Sequence, residues 1–234
     1  MWGSAVDGRR LRFRLTGINN QNFIMRDDET GSWWQQVTGG AFLGPLKGRT
    51  LTLVPQDQLT FAMWRSEAGQ GRVLKPDARV ARAGLYPPID WERFMMRYPA
   101  PASAAADTRL APRALVVGVA LHDDAKVYPV DALTAAGATL DDLGGEPVVI
   151  VRASDARSTR VFTRRVDGRS LEFVVKVGAP AFRLVDVETG SEWDFAGAAV
   201  SGPLAGRRLG RVAFLEEYWF DWKTYHPATR LSTR

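Results

Sequence analysis

The chain has 234 residues, 45% hydrophobic and 24% charged, and its 8 Trp, 11 Phe and 5 Tyr are enough for a substantial core. Zero cysteine excludes disulfides, thiol catalysis and Cys-ligated zinc, and two histidines are too few for a His-rich metal site. We therefore expect no metal and no cofactor, and a chain that forms one large or two modest domains.

The net charge of +5 comes almost entirely from arginine, because only five of the 31 basic residues are lysine. These arginines are scattered among acidic residues, which favours a solvated surface over a nucleic-acid interface. No apolar run approaches the roughly 18 residues of a membrane span, and residues 1–13 lack the pattern of a signal peptide. The chain as written is predicted to be cytoplasmic, and export stays open if the true N-terminus is missing.

Short apolar runs between Gly and Pro predict a β-rich α+β fold of short antiparallel strands, in small sheets or partly open barrels, with few short helices. Residues 1–78 contain three blocks followed by a Trp: "DGRRLRFRL" at 7–15, "DDETGSWW" at 27–34, "GPLKGRTL" at 44–51 and Trp64.

Residues 79–112 are predicted to form a helix and then a Pro/Ala-rich linker. Asp90 is the expected N-cap of the helix, and Trp91, Phe94 and Met95 share one face.

Residues 113–234 begin with a lead-in at 115–151, which predicts two strands joined at "HDDAK", a short helix over "VDALTAAG", a turn at "GGEP" and a buried strand. The earlier blocks then return in the same order: "DGRSLEFVV" at 167–175, "DVETGSEW" at 186–193, "GPLAGRRL" at 202–209 and Trp222. Matched blocks in register indicate a duplication. The first copy has no counterpart of the lead-in, so we expect it to be N-terminally incomplete and to pack on the second copy.

The Asp-x-x-Thr-Gly-Ser-x-Trp block has two interpretations. In the favoured one it is a turn, in which Asp accepts backbone N–H groups, Gly supplies a positive φ and Trp covers the loop. In the functional one the turns border a polar cleft floored by Trp and bind a small polar ligand. The residues of that candidate site are Asp27, Thr30, Ser32 and Trp34 in the first copy and Asp186, Thr189, Ser191 and Trp193 in the second.

Other candidate groups have simpler interpretations. His226, five residues after Asp221 in an aromatic segment, is a general base or single metal ligand in one interpretation and a packing residue in the favoured one. His122 is expected in an exposed turn. The paired carboxylates Asp141 and Asp142 are expected to shape turns or caps rather than share a cation. "GPLxGxxL" predicts a tight turn, since it lacks the Gly-Lys-Ser/Thr ending of a P-loop.

Together these motifs, with "VYPVDAL", "DDLGGEPVVIV" and "HP" at 226–227, resemble the bacterial domain of unknown function 3179 family. The resemblance covers residues 110–234 fully and residues 4–76 in part. Members of that family typically carry a Cys-Pro-x-Cys-Gly-Ser-Ala segment after the buried strand, and here Ala153 and Ala156 stand where its two cysteines would fall. The family has no established reaction to transfer.

The residues favour a non-catalytic binding or structural module, with a small polar ligand at the DxxTGSxW turns. The alternative is a hydrolytic or redox enzyme whose family chemistry uses the cysteine segment that this chain lacks. It would leave Asp186, Ser191 and His226 as auxiliary groups. Nucleic acid is not expected as a partner.

Overall fold

A computed structural model describes residues 1–19, 22–86, 90, 93–94, 96–100, 107–135 and 137–233. Of the helix expected between the two copies, Trp91 and Met95 lie outside these residues. We refer to residues 1–78 as the N-terminal module and to residues 113–234 as the C-terminal module.

The described residues up to position 86 contain six strands and two helices: β1 Ala5–Val6, β2 Arg9–Arg10, β3 Phe13–Asn19, β4 Asn22–Asp27, β5 Trp33–Gln35, β6 Ala41–Leu43, α1 Phe61–Glu67 and α2 Ala78–Arg82. Those from position 107 onward contain thirteen strands and one α-helix: β7 Leu115–Leu121, β8 Asp124–Pro129, β9 Gly137–Leu143, β10 Glu146–Arg152, β11 Thr159–Thr163, β12 Arg165–Val166, β13 Arg169–Ser170, β14 Phe173–Val175, β15 Arg183–Asp186, β16 Glu192–Asp194, β17 Ala199–Ser201, β18 Leu215–Tyr218, α3 Trp219–Tyr225 and β19 Arg230–Leu231.

The predicted fold class is confirmed, because strands hold 39% of the described residues and helices 11%, in several small and mostly antiparallel sheets. One expected helix is shorter than the sequence indicates. "VDALTAAG" forms a single 3-10 turn, Val130–Ala132, and the chain is extended again from Gly137 because that residue pairs with Arg152 in the next sheet.

Two four-stranded sheets have the same construction. Both are antiparallel meanders, β3-β4-β5-β6 and β14-β15-β16-β17. Each is preceded by a short hairpin whose two strands have two residues each. Each has a bulge next to the motif tryptophan, Trp34 or Trp193, and each is followed by a seven-residue helix whose fourth residue is Trp. The repeated blocks of sequence therefore have the same local structure in both places.

The hairpins show how closely the local geometry is matched. Asp7 and Gly8 turn the first one with φ of 49° and 75°, and Asp167 and Gly168 turn the second with φ of 48° and 78°. Two successive positive φ values are what a two-residue type I′ hairpin needs, and Asp-Gly is a preferred pair for it.

The lead-in forms strands β7 to β10, and β10 is central to the C-terminal module. Val149 and Val151 face one hydrophobic cluster, while Val148 and Ile150 face another. A strand that is covered on both faces does not alternate apolar and polar residues, and this explains the continuous apolar run "PVVIV". Strands β9 and β11 flank β10, and a second sheet, β18-β7-β8-β19, carries the other part of the core.

Residues 57–67 of the N-terminal module contact the C-terminal module. Leu59 and Met63 pack on the core of the C-terminal module. The guanidinium of Arg160, 2% exposed, donates to Asp57 at 2.9 Å and to both oxygens of Glu67 at 2.9 and 2.5 Å. It also lies over an aromatic ring of its own module. Arg160 thus ties the end of the N-terminal module to the C-terminal one.

Arg160→Met is expected to lower the free energy of unfolding by about 3 kcal/mol, because it leaves two partly buried carboxylates without their shared cation. Urea denaturation followed by Trp fluorescence measures this loss. Arg208→Met, at an exposed position of the same module, is the control and should change stability by less than about 0.5 kcal/mol. Equal effects of the two variants would contradict the assignment.

Candidate functional site

The first DxxTGSxW block is a turn built around the carboxylate of Asp27. Its Oδ1 accepts the Thr30 N–H at 2.5 Å, and its Oδ2 accepts the Ser32 N–H at 3.1 Å and the Trp34 indole N–H at 2.9 Å. Burial acts to raise the pKa of Asp27, but these hydrogen bonds outweigh it and the pKa is lowered. The carboxylate is therefore ionised and fully used inside the turn.

The second block repeats this arrangement. The carboxylate of Asp186 accepts the Thr189 N–H at 2.6 Å and the Trp193 indole N–H at 2.9 Å. The Trp193 ring meets Phe173 edge-on at 5.8 Å and 86°, as the first motif Trp meets Phe13 at 5.7 Å and 86°. Both indoles point into the core of their own module.

The serine of each block connects it to the following "GPLxGxxL" block. Leu204 donates its backbone N–H to Ser191 Oγ at 3.0 Å, and Leu46 does the same to Ser32. Gly202 has φ of +86°, and a Cβ there would lie 2.6 Å from the Cα of Ser191. "GPLxGxxL" is thus a tight turn, as expected, and its glycine is required by the contact with the serine.

These contacts leave little for a ligand at the turns. The rings of Trp34 and Trp193 are 0% exposed, so within the described ranges neither floors a cleft. The side chains of Ser32 and Ser191 are equally buried and paired with the neighbouring threonine hydroxyls. The geometry supports the turn interpretation, and ligand binding by these eight residues stays a prediction.

His226 lies elsewhere, at the end of α3. Its ring stacks on Trp222 with a centroid distance of 3.9 Å, and burial lowers its pKa. The hydrogen bonds of the described residues do not join it to Asp186, Ser191 or Asp221. His122 occupies an exposed turn with φ of +53° and approaches the carbonyl oxygen of a neighbouring glycine.

The acidic pair has a different role from the one expected. Asp141 and Asp142 lie on β9 rather than in a turn, and they point to opposite faces of the strand. Asp141 accepts from Lys126 Nζ at 2.5 Å and from the Tyr128 hydroxyl at 2.8 Å. The side chain of Asp142 is 73% exposed. The two carboxylates therefore do not share a cation.

The loop at the expected cysteine position is closed by hydrogen bonds. Ala153 is 1% exposed, and Ala156 has φ of +54° and donates its N–H to the Ala153 carbonyl at 3.0 Å. Asp155 accepts from Ser158 Oγ at 2.6 Å and from Thr60 Oγ1 at 2.8 Å. Burial acts to raise the pKa of Asp155, but these bonds outweigh it and lower the pKa to about 2.

A cavity of about 630 Å³ lies between the two modules. Its N-terminal wall includes Trp2, Phe13, Asn22, Met25 and Leu53. Its C-terminal wall includes Gly118, Ala120, Glu217, Trp222 and His226. His226 is thus the one residue of the candidate set that lines this cleft. Most of the surface is apolar, as in sites that bind ligands through a few polar anchors.

One carboxyl group, that of Glu217, lines the cleft, and Asp221 is near enough for its charge to act on Glu217. Burial, together with the charge of Asp221, raises the pKa of Glu217 to about 8. Burial raises the pKa of Asp221 to about 6, against the lowering effect of a hydrogen bond from Asn22. Glu217 Oε1 is buried and has no hydrogen-bond partner among the described residues. A buried acceptor of this kind is uncommon and marks a place where a further group can bind.

Sequence reasoning did not identify Glu217. The available signal was the segment "LEEYWFDW", in which Glu217 and Asp221 stand four residues apart among aromatic residues. Within the described residues, no group of three or more His, Cys, Asp or Glu side chains is arranged to hold a metal ion. No helix in the described part of the chain is long and apolar enough to cross a membrane.

A comparison with protein-family models finds a match to "Protein of unknown function (DUF3179)" over residues 1–229. The chain belongs to this family. No curated protein and no solved structure matches it. DUF3179 has no assigned function. The match includes both modules and the segment between them. All the residues that line the cleft are therefore part of the sequence that the family model matches.

Gly202→Ala is expected to be more destabilising than Gly206→Ala. Both glycines have positive φ, 86° and 88°, so both variants lose about 1 kcal/mol through backbone strain. Only Gly202 has a close neighbour, whereas a Cβ at Gly206 meets nothing within 4 Å. In thermal unfolding, Gly202→Ala should lower the free energy of unfolding by at least about 1 kcal/mol more than Gly206→Ala does. Similar melting temperatures would contradict the serine contact.

Glu217→Gln is expected to stabilise the protein at high pH only. Because the folded pKa lies above the usual 4.5, the folded state holds the proton more tightly, and wild-type stability falls as pH rises from about 4.5 to about 8. The variant avoids this loss. Its free energy of unfolding should exceed that of the wild type by on the order of 2 kcal/mol at pH 8.5 and should equal it at pH 4. Urea denaturation across pH 4 to 9 measures the difference.

Asp221→Asn is the matched comparison for this pH series. Its gain should develop mainly between pH 4 and 6, because the pKa of Asp221 is raised only to about 6. A stability difference that does not change with pH for Glu217→Gln would show that its carboxyl is not buried against Asp221.

Proposed function

We propose that this DUF3179 chain is a non-catalytic binding module whose ligand occupies the cleft between its two modules. The observation that carries the proposal is the unpartnered Oε1 of Glu217, a residue in the wall of a mostly apolar cavity of about 630 Å³. Leaving a buried polar atom unpaired costs about 1–3 kcal/mol, and a ligand that pairs with it recovers that cost.

The chemistry of the cleft limits the ligand. Glu217 is protonated at neutral pH, since its pKa is raised to about 8, so it donates through O–H and accepts at its free oxygen. The rings of Trp2, Phe13 and Trp222 supply apolar surface around it. A ligand with an apolar body and an amide or hydroxyl group fits this combination. Such a ligand differs from the small polar molecule expected at the turns.

The hydrolytic or redox alternative is not favoured. It uses a cysteine segment that this chain lacks, with Asp186, Ser191 and His226 as auxiliary groups, and the first two of these are buried inside a turn of one sheet. His226 stacks on Trp222 and lines the cleft instead. Its neutral ring can contribute a hydrogen bond to a bound ligand.

We also infer that the two modules are tandem copies of one unit, with boundaries at residues 1–78 and 113–234 and a connecting segment at 79–112. The matched turns, hairpins and helices support this inference. The described residues of the first copy contain no counterparts of β7 to β10. The two copies pack on each other through residues 57–67 and α3.

Titration with N-phenyl-1-naphthylamine, a neutral apolar dye with one N–H group, tests the binding site. Wild-type protein should bind it with a rise in dye fluorescence. Ala120→Phe fills the cleft from an exposed position on β7 and should weaken binding at least about tenfold. Val174→Phe, at a 54% exposed position on β14, is the matched control and should bind as the wild type does. Unchanged binding by Ala120→Phe would refute the location.

A further inference from the structure

The hairpin β14–β15 opens into a loop, whereas its counterpart in the N-terminal sheet, β3–β4, stays paired to the last residue of β3. The pairing of β14 with β15 ends with a bond from the Lys176 N–H to the Arg183 carbonyl at 2.9 Å, and residues 177–182 then leave the sheet. This loop and the strands beside it border a cavity of about 440 Å³. The cavity lies within the C-terminal module and shares no lining residue with the cleft.

Charged residues line this cavity at places where the N-terminal sheet has uncharged ones. In the aligned repeat, Lys176, Arg183 and Glu192 correspond to Thr16, Ile24 and Trp33. The rest of the lining is the loop itself, whose side chains are small: Val177, Gly178, Ala179, Pro180 and Ala181. The opening of the hairpin and the change to charged residues therefore occur together in the second copy.

Two of these charged residues are cations directly opposite each other. Lys176 and Arg183 continue the register of β14 and β15, so their side chains lie on the same face of the sheet, where like charges are destabilising. Glu192 Oε1 accepts from Lys176 Nζ at 2.5 Å and compensates that cation. Arg183 donates from Nη1 to the Phe182 carbonyl at 2.9 Å, and it forms no ion pair with a carboxylate of the described residues.

The carboxylate on the other side of Arg183 has a different partner. Asp194 is the residue opposite Arg183 on β16. Its Oδ1 accepts the Ala198 N–H at 2.9 Å, in the turn that follows β16. The charged lining of the cavity thus consists of two cations and one carboxylate, a net charge of +1, and that carboxylate is already paired with Lys176. The half-buried guanidinium of Arg183 is left without a counter-charge.

We propose that this cavity binds a small organic monocarboxylate. The guanidinium of Arg183 presents parallel N–H groups, which match the two oxygens of a carboxylate. A single negative charge neutralises the lining, whereas a dianion such as phosphate leaves excess negative charge beside Glu192. The apolar body of the ligand lies against Val177 and Pro180 of the loop. This site is separate from the cleft and does not depend on the ligand proposed there.

Titration with sodium butyrate tests the proposal, and butyramide, which has a similar shape without the charge, is the matched control. Each compound is added to the ¹⁵N-labelled full chain at constant ionic strength, and the amide and arginine Nε–H signals are followed by NMR. We expect saturable shifts at Lys176, Val177 and Arg183 with butyrate and none with butyramide. Phosphate should bind at least about tenfold more weakly than butyrate.

Two variants should change the affinity for butyrate in opposite directions. Arg183→Gln removes the group that pairs with the carboxylate and should weaken binding at least about tenfold. Glu192→Gln removes the carboxylate that competes for Lys176 and should tighten binding about threefold. Arg208→Gln, at an exposed position, and Asp142→Asn, at a side chain 73% exposed, make the same changes of charge outside the cavity and should bind as the wild type does.

The other outcomes overturn the proposal in distinct ways. Equal shifts with butyramide and butyrate exclude recognition of the carboxylate charge. Tighter binding of phosphate than of butyrate excludes a monocarboxylate as the ligand. Unchanged affinity in both Arg183→Gln and Glu192→Gln excludes this cavity as the place of binding. The absence of saturable shifts overturns the site itself, and it leaves the binding of the naphthylamine dye in the cleft as a separate result.

Discussion

The structure depends on a buried hydrogen bond that occurs once in each module, from a tryptophan indole N–H to an aspartate carboxylate. The indole lies in the core, where its N–H has no access to water, so it requires an acceptor. Asp27 and Asp186 provide one, and backbone N–H groups of each turn donate to the same carboxylates. The positions of the threonine, the serine and the following glycine turn all follow from this requirement.

Much of the local structure could be predicted from the sequence. Sequence patterns predict the backbone geometry of the turns at 27–34 and 186–193, of the Asp-Gly hairpins and of the buried strand "PVVIV". Other features depend on partners distant in the chain. The bond from Leu204 to Ser191 joins two blocks that the sequence presents as separate motifs. Asp142 is exposed because strand pairing, not the turn, fixes its direction.

The candidate site was harder to predict, because burial is a property of the assembled modules. Glu217 is unremarkable in sequence, and its raised pKa arises only when the assembled structure buries its carboxyl, to which the charge of Asp221 adds. The motif tryptophans attract attention in sequence for the opposite reason. They are repeated because each core needs one, and that repetition resembles the repetition of a binding motif.

Residues 57–67 belong to one module by sequence and to the other by contact. Their leucine and methionine complete the core around β10, and their acidic residues hold Arg160. A genetic exchange that replaced the first module alone would therefore remove part of the second module's interior. Substitutions on the two sides of this contact are therefore expected to co-vary in evolution. This coupling limits how far two similar units within one chain can diverge independently of each other.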